Sequence, residues 1–160
     1  MVYTAFIDTH IGCVGLAEEN HFLTHLFFAP HKQHNKKAPD NAVEQWTPLL
    51  RKVADELKEY LAGKRQVFDI PLKLIGTDFQ MSVWNSLQTI PYGETRSYKK
   101  IAEQIGNSKA CRAVGTANHW NPVAIIVPCH RVIGADGSLT GFGGGLALKK
   151  HLLELESRTR

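Results

Sequence analysis

Pro128, Cys129, His130 and Arg131 form the most reactive run in the sequence. A thiol, an imidazole and a guanidinium stand side by side, directly after an apolar stretch at residues 123–127. Thiolate rather than thiol is the nucleophile; a free cysteine titrates near pH ~8.5, and neighbouring cations lower that value. His130 and Arg131 bring positive charge that favours thiolate, and Pro128 fixes the backbone just before the sulfur. An arbitrary Cys-His pair is more often a buried thiol beside a surface imidazole, so the case for chemistry rests on this context. The reading is a nucleophilic Cys129 whose thiolate its neighbours favour.

Several function classes compete as readings of such a sequence. A thiol hydrolase places its base far from the nucleophile in sequence, and nothing here builds a recognisable oxyanion site. A transcription regulator would need base-reading side chains on residues 108–118, and those are scarce. A purely non-catalytic binding protein would have no need of the nucleophile that Cys129 supplies. The three cysteines, Cys13, Cys111 and Cys129, are few and odd in number, which points to free thiols in a reducing compartment. No apolar run approaches the length of a membrane span, and no secretory signal is visible. The expected location is cytoplasmic: nucleoid-associated in a prokaryote, nuclear in a eukaryote.

The elements that must position these residues fall into two parts. The 160-residue chain suits one or two small domains. Residues 2–7, 11–16 and 22–28 are rich in aliphatic and aromatic side chains and predict a small antiparallel meander, with Glu18-Glu19-Asn20 as a turn. Residues 30–41 are polar, with Pro30 and Pro39, and predict a loop. Thr47-Pro48 opens a helix with buried Leu50, Val53, Leu57 and Leu61, ended by Gly63. Residues 64–76 predict an extended linker.

The second part starts with a capping box, Thr77 and Gln80, before a helix carrying Phe79, Val83, Trp84 and Leu87. Ser97 is placed to cap a short helix with Ile101 and Ile105, closed by Gly106, and Ser108 to cap the next, with Ala110, Val114 and Ala117 inward. Two short helices joined by a tight turn with glycine read as a helix-turn-helix. Residues 141–145 are a glycine-rich loop, and 146–155 a final helix. Residues 1–76 balance nine Lys and Arg against nine Asp and Glu, whereas residues 77–160 hold ten against six. The whole net charge of +4 therefore sits in the second part, which suggests an anionic partner.

Residues 128–132, Pro-Cys-His-Arg-Val, together with the runs 90–98, 110–115 and 144–153, resemble the O6-alkylguanine-DNA alkyltransferases, the methylated-DNA–protein-cysteine methyltransferases. The resemblance covers residues 77–160 closely; the first part matches in length and general pattern. It implies an α/β N-terminal domain, a small antiparallel sheet plus helix, at 1–76. A mainly α C-terminal domain with a helix-turn-helix or winged-helix-like DNA-binding site follows at 77–160. The implied activity is direct-reversal repair: the alkyl group of O6-alkylguanine, and of O4-alkylthymine, moves irreversibly from duplex DNA to Cys129 after the base flips out through the minor groove. The implied protein is a monomer that needs no cofactor. The alternative within the resemblance is a non-catalytic lesion-binding relative, which would lack the acceptor cysteine that stands here at Cys129.

The resemblance also implies roles residue by residue. Cys129 is the alkyl acceptor; His130 and Glu156, with a water, deprotonate it. Asn121 is the hinge between helix-turn-helix and active-site segment. Tyr98 crowds the target's 3′ phosphate and donates to the departing guanine, and Arg112 fills the gap left by the flipped base. Ala110, Cys111, Ala113, Gly115 and Thr116 complete the DNA-facing surface. Its small residues fit minor-groove binding with little sequence reading. Ala124, Val132, Phe142, Gly143, Gly144 and Lys149 shape the substrate pocket. The carbonyls of Cys129 and Val132 accept from the guanine amine, and the Gly143 N–H donates to its O6. Three positions depart from the family pattern. Cys111 stands where a small apolar residue is more usual, Phe142 where Tyr is general, and Thr116 at a common Gly. The zinc site of some members is not reproduced by Cys13 with His10, His21 and His25, and His31 and His34 are poorly spaced for one; no metal is expected.

Overall fold

The structure is a computed structural model and describes residues 1–29 and 38–160. The expected loop at 30–41, with His31 and His34, lies outside the described residues over 30–37. The chain divides into two compact units, Met1–Leu74 and Ile75–Arg160.

The first unit is a four-stranded sheet covered by one helix. Strands β1 (Val2–Thr9), β2 (Gly12–Glu19) and β3 (Phe22–Phe28) form the antiparallel meander. A two-residue β4 (Val43–Glu44) adds to β1 in parallel, giving the order β3-β2-β1-β4. The sheet is therefore mixed rather than purely antiparallel. The turn expected at Glu18-Glu19-Asn20 is shifted: both glutamates remain in β2, and Asn20 and His21 make the turn with φ of 53° and 67°. Two successive left-handed residues match the twist of a tight hairpin. Gly15 faces Phe27 across the β2–β3 register, and a Cβ there would collide with the Phe27 ring.

Helix α1 (Pro48–Leu61) follows the sequence reading. Thr47 accepts from the Leu50 N–H at 3.1 Å, and Gly63 follows the last turn with φ 74°. Its Leu50, Val53, Leu57 and Leu61 are buried where the helix packs on β1, β2 and β3, and Leu16, Leu23 and Leu26 of the sheet are buried as well. The segment expected as a linker is instead bound to the sheet. The Leu23 N–H donates to Pro71 O at 2.8 Å, and the Lys73 N–H to Leu23 O at 3.0 Å.

The second unit is mainly helical: α2 (Asp78–Leu87), α3 (Tyr98–Gln104), α4 (Cys111–His119) and α5 (Leu146–Thr159). The Thr77–Gln80 capping box forms with both reciprocal bonds. Ser97 caps α3, accepting from the Lys100 N–H at 3.0 Å. Ser108 does not cap α4. The chain makes another turn, with the Ala110 N–H on Asn107 O at 3.0 Å, and Ala110 becomes the N-cap residue without a side-chain bond. Val114 and Ala117 are buried, and Ala110 is half-buried. Helices α3 and α4 pack on α2, where buried Trp84 donates its indole N–H to Ala117 O at 2.9 Å. Two short strands, β5 (Arg96–Ser97) and β6 (Val132–Ile133), pair in parallel and tie the start of α3 to the segment after Cys129.

Candidate active site

Cys129, His130 and Arg131 form a single 3-10 turn, all buried, against which α5 packs. The approach to this turn is tightly held. Asn121 accepts from the Val123 N–H at 3.0 Å and donates Nδ2 to Val127 O at 2.8 Å, closing both ends of the 123–127 loop. Inside that loop Ile125 has φ 70°. A β-branched residue there is strained by about 1–3 kcal/mol and persists only where its surroundings fix it. Asn118, on the buried face of α4, donates Nδ2 to Cys129 O at 3.2 Å. That carbonyl also accepts the Val132 N–H.

Glu156 on α5 organises the buried charges. His130 donates Nε2–H to Glu156 Oε2 at 2.6 Å. Arg131 donates Nε to Glu156 Oε1 at 2.8 Å and Nη2 to Oε2 at 3.1 Å, while its Nη1 reaches Ile90 O at 2.7 Å. The Gly93 N–H adds a bond to Glu156 at 3.2 Å. Burial alone would push the Glu156 carboxyl up, but the bonds and charges of His130 and Arg131 outweigh it and hold it at about 2. Burial pushes His130 below its ordinary value, against the upward pull of Glu156. At neutral pH the site therefore holds an ionised Glu156, a cationic Arg131 and a neutral His130. With Nε2 carrying the hydrogen for Glu156, Nδ1 is the basic nitrogen.

The thiol is the converse of what the sequence alone suggested. Burial raises Cys129 above its ordinary value, and the opposing contacts, the Asn121 side chain and the Lys149 charge, do not reverse it. Arg131 does not act on the sulfur as a free cation, because its guanidinium is occupied by Glu156 and Ile90. The cation that bears on Cys129 is Lys149, itself buried on α5. A protonated thiol beside a neutral imidazole needs proton transfer to become a nucleophile.

Lys149 also connects the thiol to an open groove of about 640 Å³. Its Nζ donates to Thr140 O at 2.8 Å and lies 5.8 Å from the centre of the Tyr98 ring. Tyr98 donates its hydroxyl to the same carbonyl at 3.3 Å and accepts from Thr140 Oγ1 at 3.1 Å. Tyr98, Thr140 and Gly141 form one side of the groove. Cys111, Arg112, Gly115, Thr116 and His119 of α4 form the other.

Of the expected DNA-facing residues, Tyr98, Cys111, Arg112, Gly115 and Thr116 thus share one groove. Ala110 is half-buried at the helix start and Ala113 is exposed beside it, both outside the groove lining. Among the expected pocket residues, Val132 is buried in β6 and Ala124 in the 123–127 loop. Phe142, Gly143 and Gly144 lie in the loop before α5, closed by the Gly145 N–H on Phe142 O at 2.9 Å. Sequence reasoning missed Thr140, Asn118 and His119. His119 had a signal: Arg112, Gly115, Thr116 and His119 follow the spacing of one helix face.

Two family models divide the chain between them. Residues 2–74 match the ribonuclease-like domain, and residues 78–158 the DNA-binding domain, of 6-O-methylguanine DNA methyltransferase. The chain belongs to the 6-O-methylguanine DNA methyltransferase family. It is 49% identical to a methylated-DNA–protein-cysteine methyltransferase of Methanosarcina acetivorans, over 97% of this chain and 98% of that one. It is also 49% identical to one of Mycobacterium tuberculosis, over 98% and 93%. Among solved structures, the Mycobacterium tuberculosis member in complex with DNA superposes with a TM-score of 0.89 at 48% identity, covering 98% of this chain and 94% of that one. A Methanococcus jannaschii methyltransferase of the same family gives 0.71 at 30% identity, covering 95% and 92%. Among the described residues, no helix is long and apolar enough to cross a membrane.

Proposed function

We propose that this chain repairs O6-alkylguanine in duplex DNA by transferring the alkyl group to its own Cys129. The observation that carries the reading is the buried Cys129–His130–Glu156 arrangement, with Lys149 connecting it to a groove lined by Arg112 and Tyr98. Residues 77–160 bind DNA and react; residues 1–76 are a structural domain.

The chemistry runs as one displacement. His130 Nδ1 takes the Cys129 proton through a bridging water, and Glu156 stabilises the imidazolium. Cys129 Sγ attacks the alkyl carbon; the S–C bond forms as the C–O6 bond breaks, and the electron pair leaves on guanine O6. Tyr98 exchanges its long bond to Thr140 O for one to the departing base. Lys149 stabilises the thiolate before attack. An O6 atom inside a duplex is unreachable, so the nucleotide is first extruded, which costs a few kcal/mol; Arg112 offsets that by filling the gap. The guanine amine is received by the Val132 carbonyl, since Cys129 O already accepts two donors, and Gly143 N–H meets O6.

The chain acts as a monomer in the compartment that holds DNA, cytoplasmic or nuclear. O4-alkylthymine presents the same alkyl–oxygen bond and is a second substrate. The test is a duplex carrying labelled O6-methylguanine: label must move to Cys129. Label released to water would identify a hydrolase, and binding without transfer a lesion-recognition protein.

A further inference from the structure

We infer that Trp120, with His119, forms a second DNA contact at the far end of α4 from Arg112, an aromatic platform for the sugar–phosphate strand flanking the lesion; this rests on the DNA reading above. Trp120 is 63% exposed, unusual for so large an apolar side chain. Its backbone is nonetheless fixed: it is the C-cap of α4, with its N–H on Thr116 O and Ala117 O. The next residue, Asn121, clasps the loop that leads to Cys129. The indole meets the His119 imidazole edge to face, with ring centres 5.5 Å apart at 82°, and His119 lines the groove.

The occupant follows from continuity and charge. Arg112 and His119 are seven residues apart, two helical turns, so they lie on one face about 10 Å apart along the axis at ~1.5 Å per residue. Gly115 and Thr116 lie between them on that face, small enough to admit a strand. Helix α4 carries Arg112 and His119 and no carboxylate, so the face suits a polyanion. Trp120 follows at the helix end, outside the groove lining but with its indole against the His119 ring, where a strand leaving the groove would meet it. An exposed indole can lie flat on a deoxyribose and donate its N–H to a phosphate oxygen, and it is indifferent to base identity. That is the recognition a repair protein requires of the flanking strand, because lesions arise in any sequence.

The experiment compares wild type, Trp120→Ala, Trp120→Phe and His119→Ala on an unmodified duplex and on free O6-benzylguanine. Trp120→Ala should raise the duplex Kd about tenfold, within the range for one aromatic contact, and Trp120→Phe should restore most of it. The loss on duplex should exceed any loss of reaction with the free base by about the same factor. Duplex titration should shift the exposed indole emission of the wild type, and the shift should vanish in Trp120→Phe, whose remaining indoles are Trp46 and buried Trp84. Equal duplex affinity of Trp120→Ala and wild type, with no emission shift, overturns the contact while leaving the parent reading intact. A change confined to self-association in sedimentation would assign the platform to a second copy and also overturn it. Failure of the wild-type chain to bind duplex or to alkylate Cys129 overturns the parent reading and the contact together.

Discussion

His130 Nε2 and Glu156 Oε2 stand 2.6 Å apart, both buried, and Arg131 grips the same carboxylate at 2.8 and 3.1 Å. Glu156 therefore orients the His130 imidazole and neutralises a buried guanidinium at once. Glu156→Gln removes both effects. Alkyl transfer should slow by about 10²–10⁴-fold, the usual scale for a general-base system, while duplex affinity stays close to wild type. The variant should also melt lower, because breaking one side of a buried ion pair costs about 3–5 kcal/mol. Unchanged transfer kinetics with a lowered Tm would reduce Glu156 to a purely structural part.

The same triad sets two pH responses. The depressed Glu156 carboxyl, about 2 against an ordinary 4.5, favours the folded state above the ordinary value. That contribution, on the order of 3 kcal/mol, is lost as pH falls from about 4.5 towards 2. His130 is also depressed, from an ordinary 6.5, so its contribution is present above 6.5 and begins to be lost below it. Denaturation at a series of pH values should show stability declining from about pH 6.5 and more steeply below 4.5. The rate responds differently. With the thiol raised above 9.0 and His130 neutral, transfer should be flat through neutral pH and fall only below 6.5. A rate that instead climbs tenfold per pH unit from 6.5 to 9 would mean that preformed thiolate reacts without His130.

How much of this was legible in the sequence depends on the range of the interaction. The Thr77–Gln80 box and the Thr47 cap are decided within four residues and could be read directly. Ser108 looked equally good, but a turn at 107–110 moved the helix start to Ala110. The two-residue β4 and the parallel β5–β6 pair carry no periodic signal and depend on distant partners. Arg131 is the clearest case. Its side chain lies next to the thiol in sequence, yet its partners, Glu156 and Ile90, lie 25 and 41 residues away. Sequence gave the cation to the sulfur; folding gave it to the carboxylate and placed Lys149 near the sulfur instead.

Arg112 lies exposed on the groove face of α4, where it can enter a base stack but touches nothing needed for chemistry on an isolated base. Arg112→Ala should lower the ratio of duplex repair to reaction with free O6-benzylguanine by about tenfold or more, since only the duplex demands extrusion, a step worth a few kcal/mol. Raising salt should weaken duplex binding in both proteins, because phosphate contacts dominate whatever the sequence. Equal losses on duplex and free base would remove Arg112 from the extrusion step.

Stoichiometry follows from the bond that Cys129 would make. Hydrolases recycle a cysteine because its acyl form is a thioester, with a carbonyl that water attacks. An alkyl carbon on Cys129 gives a thioether, which has no such carbonyl, and thiolate is a poor leaving group from saturated carbon. His130 and Glu156 can move a proton but cannot reverse that bond. One chain should therefore take up at most one alkyl group, in a single burst, with label on Cys129 and none on Cys13 or Cys111. Cys129→Ser should abolish the burst yet retain duplex binding, because α3 and α4 are untouched and a hydroxyl is a far weaker nucleophile. The spent protein should also be less stable. Cys129 is only 5% exposed, fixed between Asn118, Asn121 and Lys149, so an added methyl overpacks the turn at a cost of about 1–3 kcal/mol. Calorimetry before and after reaction should show a lower Tm for the alkylated chain; a second round of repair by one chain, or an unchanged Tm, would contradict this account.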